Sequence, residues 1–169
     1  MHRRTVLQLG VACLALGIAS TALADPMADA KAVVDKYASK VDKWDGPTTG
    51  PKGAAGKTIV VLGADMKNGG ILGVTKGVEE AAAALGWTVK TLDGAGSIGG
   101  RTAAFGQALA LNPDGIIING FDAVEQKPAM EQAKAAKIPM AAWHAAPTVG
   151  PIDDLGIIAN VSTDPMEVS

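Results

Sequence analysis

Residues 114–144, DGIIINGFDAVEQKPAMEQAKAAKIPMAAWH, decide how the rest of the chain reads. Ile116-Ile117-Ile118 is too short for a helix and too uniformly apolar for a half-exposed strand. It has the pattern of a strand covered on both faces of a parallel sheet. Asn119, Gly120, Phe121 and Asp122 follow as a turn. Asp122 and Glu125 have the spacing of a capping box, and Pro128 is tolerated only near the first turn of the helix they would start. An alanine-rich helix runs to about Lys137, and Ile138 to Trp143 reads as the next buried strand. That is one βαβ crossover, the repeating unit of a doubly wound sheet, whose strand ends are where such folds bind ligands.

The same pattern repeats upstream. Thr58 to Leu62 reads as a strand and residues 63–70 as a loop. A helix follows, with Val74, Val78, Ala81 and Leu85 on one stripe and Gly86 as its stop. Trp87 to Leu92 is a second strand, residues 93–100 a loop, and Ile98, Thr102, Phe105 and Leu109 stripe a helix that Asn112-Pro113 ends. Beyond the opening stretch, a connection with too much Pro and Gly for a full helix leads to a strand at Leu155 to Val161. Ordinary crossover lengths and right-handed connections predict a parallel sheet of flavodoxin-like strand order, an α/β fold. Ahead of it, Pro26 to about Trp44 has helical apolar spacing, and residues 45–56 read as a linker. Trp44 is a candidate for the edge of a ligand site.

The first 24 residues are a different object. Arg3 and Arg4 form a positive n-region, Val6 to Ala19 an apolar core, and Ala22-Leu23-Ala24 an export cleavage site. The apolar core is shorter than the roughly 20 residues that a membrane span needs. Export with cleavage after Ala24 is expected, and Arg3-Arg4-Thr5-Val6-Leu7 also resembles a twin-arginine signal. Cys13 is the only cysteine and leaves with the leader; as a lipoprotein acceptor it would want Leu where Gly10 stands. The remaining chain then has no disulfide or thiolate metal site. It carries 13 basic against 17 acidic residues, a net charge of −4, with no like-charged block, so nucleic acid is not an implied partner.

Asp65, Asn68, Asp93, Asn119, Asp122 and His144 all fall at or just past the carboxyl ends of strands, where polar groups converge on one rim of a parallel sheet. Singly, each suits a helix cap or a turn. Together, amides and carboxylates around a cleft suit hydroxyl-rich solutes, because each carboxylate accepts two hydroxyl protons. His144 is the only histidine beyond the leader, which excludes a histidine-based metal cluster. No G-x-S-x-G elbow or Walker pattern occurs. Gly94, Gly96 and Gly99 do match the dinucleotide fingerprint. However, the run follows the second strand, and Asp93 sets a carboxylate where a pyrophosphate would lie, so a glycine-rich turn is the better reading.

In order and spacing, a set of motifs from Lys57 to Asp164 resembles the type I periplasmic solute-binding proteins, the ribose- and galactose-binding group that serves ABC importers. These are Asn68-Gly-Gly, Gly77-Val with Ala84-Leu-Gly-Trp87, Leu92-Asp93, Pro113-Asp-Gly-Ile-Ile-Ile, Asp122-Ala-Val, Ile138-Pro-Met and Asn160-Val-Ser-Thr-Asp164. The resemblance implies a two-lobed fold. Residues 57–164 would be the N-terminal lobe, 165–169 the start of a crossover to a second lobe, and 25–56 a leading helix and linker. It also implies that Asn68, Trp143, His144 and Asp164 approach the ligand. Two departures bear on which ligand. Gly70 and Ile71 stand where sugar binders of the group carry stacking aromatics, which makes Trp143 the candidate stacking face. His144-Ala145 stands where they carry aspartate and arginine.

The resulting expectation is a non-enzymatic, exported solute-binding component of an ABC importer. It would work in the periplasm without cofactor or metal, bind a sugar-like solute between lobes, and meet the membrane only through its permease complex. A periplasmic sensory module, or a twin-arginine-exported NAD(P)-dependent oxidoreductase using the glycine loop, remain as alternatives.

Overall fold

The computed structural model describes residues 25–40, 43–44 and 46–164. The expected leader with its cleavage site, Cys13 and the expected crossover start at 165–169 lie outside the described residues. The chain forms two units, residues 1–50 and 51–169.

In the first unit, α1 spans Pro26–Ala38, with the Asp25 side chain accepting from Met27 N at 3.0 Å and Pro26 in the first turn. It stops short of the expected Trp44. Ser39 turns extended and its Oγ donates to the Lys36 carbonyl. No residue of α1 is buried, and a short helix without a packed face has little to extend it. Trp44 is 73% exposed and donates its indole N–H to Pro47 O.

The second unit holds a six-stranded sheet in the order β2-β1-β3-β4-β6-β5. The strands are β1 Thr58–Gly63, β2 Thr88–Asp93, β3 Gly115–Asn119, β4 Met140–Trp143, β5 Gly150–Ile152 and β6 Ile157–Val161. The first four and β6 pair in parallel in the flavodoxin-like order expected. β5 is an added antiparallel edge strand on β6. The Pro/Gly-rich connection concealed it, since Pro151 is tolerable only where no ladder donor is needed. The last parallel strand starts at Ile157 rather than Leu155, because Gly156 takes φ +71 after a short 3₁₀ turn. β4 begins at Met140, beyond Pro139, whose missing N–H cannot join the ladder.

The helices are α2 Gly69–Leu85, α3 Ile98–Ala110 and α4 Lys127–Ala135. The capping residue Asp122 starts a 3₁₀ turn, Ala123–Gln126, and α4 begins only after it. Pro128 lacks the N–H that would reach back to Val124, so Lys127 N donates to Val124 O instead and the turn stays tight. Phe105 and Ala108 of α3 and Met130 and Ala133 of α4 bury one face of the sheet, against Leu62, Ile116, Ile118 and Met140. Phe105 is the only fully buried member of the stripe expected for α3; Ala104 and Ala108 complete the face, and Ile98 is 58% exposed.

Among the described helices only α2 covers the other face, through Ile71, Thr75 and Ala82. The helix is turned so that Val78, Ala81 and Leu85 line an open apolar groove of about 440 Å³ with Ile117, Ala141 and Ile158. Ile158 is 64% exposed there, although parallel strands are ordinarily covered on both faces.

Candidate functional site

The carboxyl ends of β1, β3, β4 and β6 form one rim. The rim residues separate into those that shape its loops and those that open on a cavity. Asp65 Oδ1 accepts from Lys67 N at 2.9 Å, and Asn68 caps α2 through Gly70 N and Ile71 N at 2.9 and 3.3 Å. Asp93 Oδ1 accepts from Ala95 N and Met66 N at 2.8 and 3.1 Å. Those two backbone donors, Ala95 first, hold its carboxyl below the usual aspartate value. Short side chains with acceptors satisfy their own turns before reaching for anything else.

The glycine loop at 94–100 is spent in the same way. Gly94 N donates to Gly63 O and Gly96 N to Ala64 O, at 2.8 and 2.9 Å, so both amides face β1 rather than a phosphate. Asp114, which falls at a dinucleotide-like distance in sequence, sits at the opposite end of the strands. There it pairs with Lys57 at 2.8 Å and accepts from Thr58 N. Its carboxyl is held low by Lys57 first and Thr58 second.

Asn119 is fully buried beneath α2. Its Nδ2 donates to Ile71 O and Thr75 Oγ1, both at 3.0 Å, and its buried Oδ1 has no hydrogen-bond partner. It therefore pins α2 to the sheet, in contrast to the open rim position its place at a strand end suggested.

The half-buried Trp143 ends β4. A Cβ on Gly70 would lie 3.7 Å from its ring and one on Gly120 3.5 Å away, so the indole runs beside two positions that lack side chains. His144 follows in the left-handed region, φ 49, with its N–H on Val161 O at 2.9 Å. Its ring meets Trp143 edge-on, with centroids 4.4 Å apart. Asp122 and His144 line a cavity of about 360 Å³ with Ala145, Ala146, Pro147, Ser162 and Thr163. Asp164, the last described residue, is exposed just beyond Thr163 and is not one of the lining groups.

Sequence reasoning missed the residue that builds this cavity. Asn160 is 1% exposed, accepts from Ala145 N at 3.2 Å, and donates to Ala146 O and Thr148 O at 3.0 and 2.6 Å. One amide thus folds the 144–148 loop over the end of β6. The one sequence signal for it is its place at the head of the Asn160-Val-Ser-Thr-Asp164 motif. The cavity offers a carboxylate, an imidazole, two hydroxyls and loop backbone, beside an indole. That set can accept from and donate to neutral hydroxyl groups. Among the described residues no cluster of His, Asp, Glu or Cys could hold a metal ion, and no helix is long and apolar enough to cross a membrane.

The periplasmic binding protein domain family matches residues 59–169. A search of curated proteins found no match. Among solved structures, an ABC sugar transporter subunit from Rhodobacter sphaeroides 2.4.1 is 18% identical with a TM-score of 0.57, covering 68% of this chain and 38% of its own. An ABC transporter solute binding protein from Agrobacterium vitis bound with alpha-D-tagatopyranose is 20% identical with a TM-score of 0.54, covering 64% and 38%. A carbohydrate transporter from Acidothermus cellulolyticus 11B in complex with myo-inositol is 23% identical with a TM-score of 0.50, covering 62% and 36%. The chain therefore spans little more than a third of these structures, and at such identities the likeness is one of fold.

Proposed function

The chain belongs to the periplasmic binding protein domain family, and from that membership we propose that it is the exported solute-binding component of an ABC importer. It works in the periplasm, binds a small uncharged hydroxylated solute, a sugar or polyol, and hands it to a permease complex. The observation that carries the reading is the cavity at the carboxyl ends of β4 and β6, where Asp122, His144, Ser162 and Thr163 meet beside Trp143. Parallel α/β sheets bind ligands at that edge. The solute would lie with its ring or carbon chain against the indole and its hydroxyls toward Asp122 and His144. The indole beside Gly70 and Gly120 would supply the apolar face that aromatics after Asn68 provide in sugar binders. Asp65, Asn68 and Asp93 support the rim through their loops, and Asp164 continues it.

Solute sites bury about 70–90% of their ligand, and this rim covers one side only, so millimolar binding is expected of the 169-residue chain. An NMR titration with myo-inositol and D-tagatose, against L-leucine and inorganic phosphate, tests the proposal. Shifts from the first pair at the His144, Ser162 and Thr163 amides and the Trp143 indole are expected, weakened in Asp122→Ala. A response to leucine or phosphate with none to either carbohydrate would falsify it.

A further inference from the structure

The glycine-rich loop after β2 has the sequence of a phosphate cradle and a different task in the structure. A side chain on Gly94 would run into Cγ of Arg101 and come within 2.9 Å of the Gly63 and Ala64 carbonyl oxygens. Only glycine leaves room for the arginine stem to cross the loop. Arg101 consequently lies in the first turn of α3 with 12% of its side chain exposed. Its guanidinium carbon sits 5.6 Å from the Phe121 ring centroid, and Nη2 pairs with Glu125 of the 3₁₀ turn. The buried Nε has no hydrogen-bond partner, so the ion pair to Glu125 is what anchors this cation.

A second link runs beside the first. Thr102 Oγ1 lies 3.0 Å from Gln126 Oε1, and Gln126 Nε2 donates to Ile98 O at 3.4 Å. Gln126 is 2% exposed. The first turn of α3 is therefore fastened to the 3₁₀ turn Ala123–Gln126 at two successive residues. Asp122 caps that turn, with its Oδ1 accepting from Val124 N at 2.9 Å, and it also lines the cavity.

We propose that Arg101, supported by Gln126, is a positioning residue for the solute site. It holds the 3₁₀ turn so that the Asp122 carboxylate stays at the cavity next to His144, and Gly94 is the residue that makes this reach possible. The inference rests on the solute-binding reading above for its functional consequence, but the mechanical part stands on contacts away from the cavity. Arg101→Met keeps most of the stem and removes the charge; Arg101→Lys keeps the charge without the planar fork; Glu125→Gln removes the other partner.

Two measurements on the full chain test it. Amide exchange at Val124, Glu125 and Gln126 should quicken by about tenfold in Arg101→Met and in Glu125→Gln, the scale of one lost charge-assisted hydrogen bond. The Ala108 amide in α3 should keep its rate, and Arg101→Lys should fall between. In titrations with myo-inositol and D-tagatose, Arg101→Met should weaken binding in the wild-type background and add nothing in an Asp122→Ala background. Unchanged exchange across the turn overturns the proposal, as does equal weakening in both backgrounds. A wild-type chain that answers neither solute defeats the solute reading instead, while exchange at Val124 still decides whether Arg101 holds the turn.

Discussion

Replacing Asn160 tests the most economical piece of construction in the site. Its single amide makes three hydrogen bonds to the 145–148 loop, one accepted and two donated. In Asn160→Ala all three loop groups lose their partner. A typical internal hydrogen bond contributes about 1 kcal/mol net, which sums to about 3 kcal/mol. Ala146 and Thr148 are partly open, so water can reach their carbonyls; the Ala145 N–H is buried and cannot be rescued in this way. A loss of about 2 kcal/mol is therefore expected. Asn160→Asp is the sharper perturbation, because its carboxylate faces the Ala146 and Thr148 carbonyls, 3.0 and 2.6 Å from the present Nδ2. Repulsion raises that carboxyl's folded value above its unfolded one. The contribution is then intact below the unfolded carboxylate value and is lost as pH rises through the folded value. Urea unfolding followed by tryptophan fluorescence, from acid to neutral pH, reads both variants. At neutral pH the aspartate variant should be the less stable of the two, and it should recover on acidification. An alanine variant within about 0.5 kcal/mol of the parent, or an aspartate variant more stable than it at neutral pH, would refute the role given to the amide.

Asp93 and Asp114 are expected to contribute to acid sensitivity. Both folded carboxyl values are depressed, so their stabilisation is present above the ordinary aspartate value and disappears as pH falls through the folded one. Asp114→Asn and Asp93→Asn should each flatten the acid limb of a plot of urea midpoint against pH below about pH 4, and an unaltered limb would remove that residue from the account. The open groove predicts a liability. The chain should bind anilinonaphthalene sulfonate and self-associate, and Ile158→Glu should reduce both while leaving the unfolding midpoint nearly unchanged, as judged by dye fluorescence and light scattering. A parent chain that is monomeric and dye-free would show that this face is not sticky in water.

The uniform apolar runs at Thr58–Leu62 and Ile116–Ile118 pointed to a parallel sheet, because only strands buried on both faces need such composition, and the crossover lengths with right-handed connections gave its order. The caps were equally legible. Asn68 and Asp122 start their turns through a local exchange of one oxygen for one or two amides, and local exchanges are written in local sequence. Pro128 also marked where a helix could begin, although its effect on the preceding carbonyls, which made a 3₁₀ turn of residues 123–126, came from three-dimensional geometry.

What only the tertiary structure decided was direction. Helices rich in Ala and Gly have no steep apolar side, so the periodicity of α2 and α3 did not reveal which residues meet the sheet. Packing chose Thr75 and Ala82 over Ala81 and Leu85. Asn119 and Asp122 stand three residues apart and look alike in sequence, yet one is sealed under α2 and the other opens on the cavity. The difference lies in what covers each position, a property of elements more than 40 residues away. The roles of Arg101 and Asn160 are not legible in sequence for the same reason, since their partners lie 24 and 12 to 15 positions off in the chain. Strand and cap signals are encoded over a few residues, while a binding rim is made by the ends of several strands brought together, and its contacts exist only once the sheet has formed.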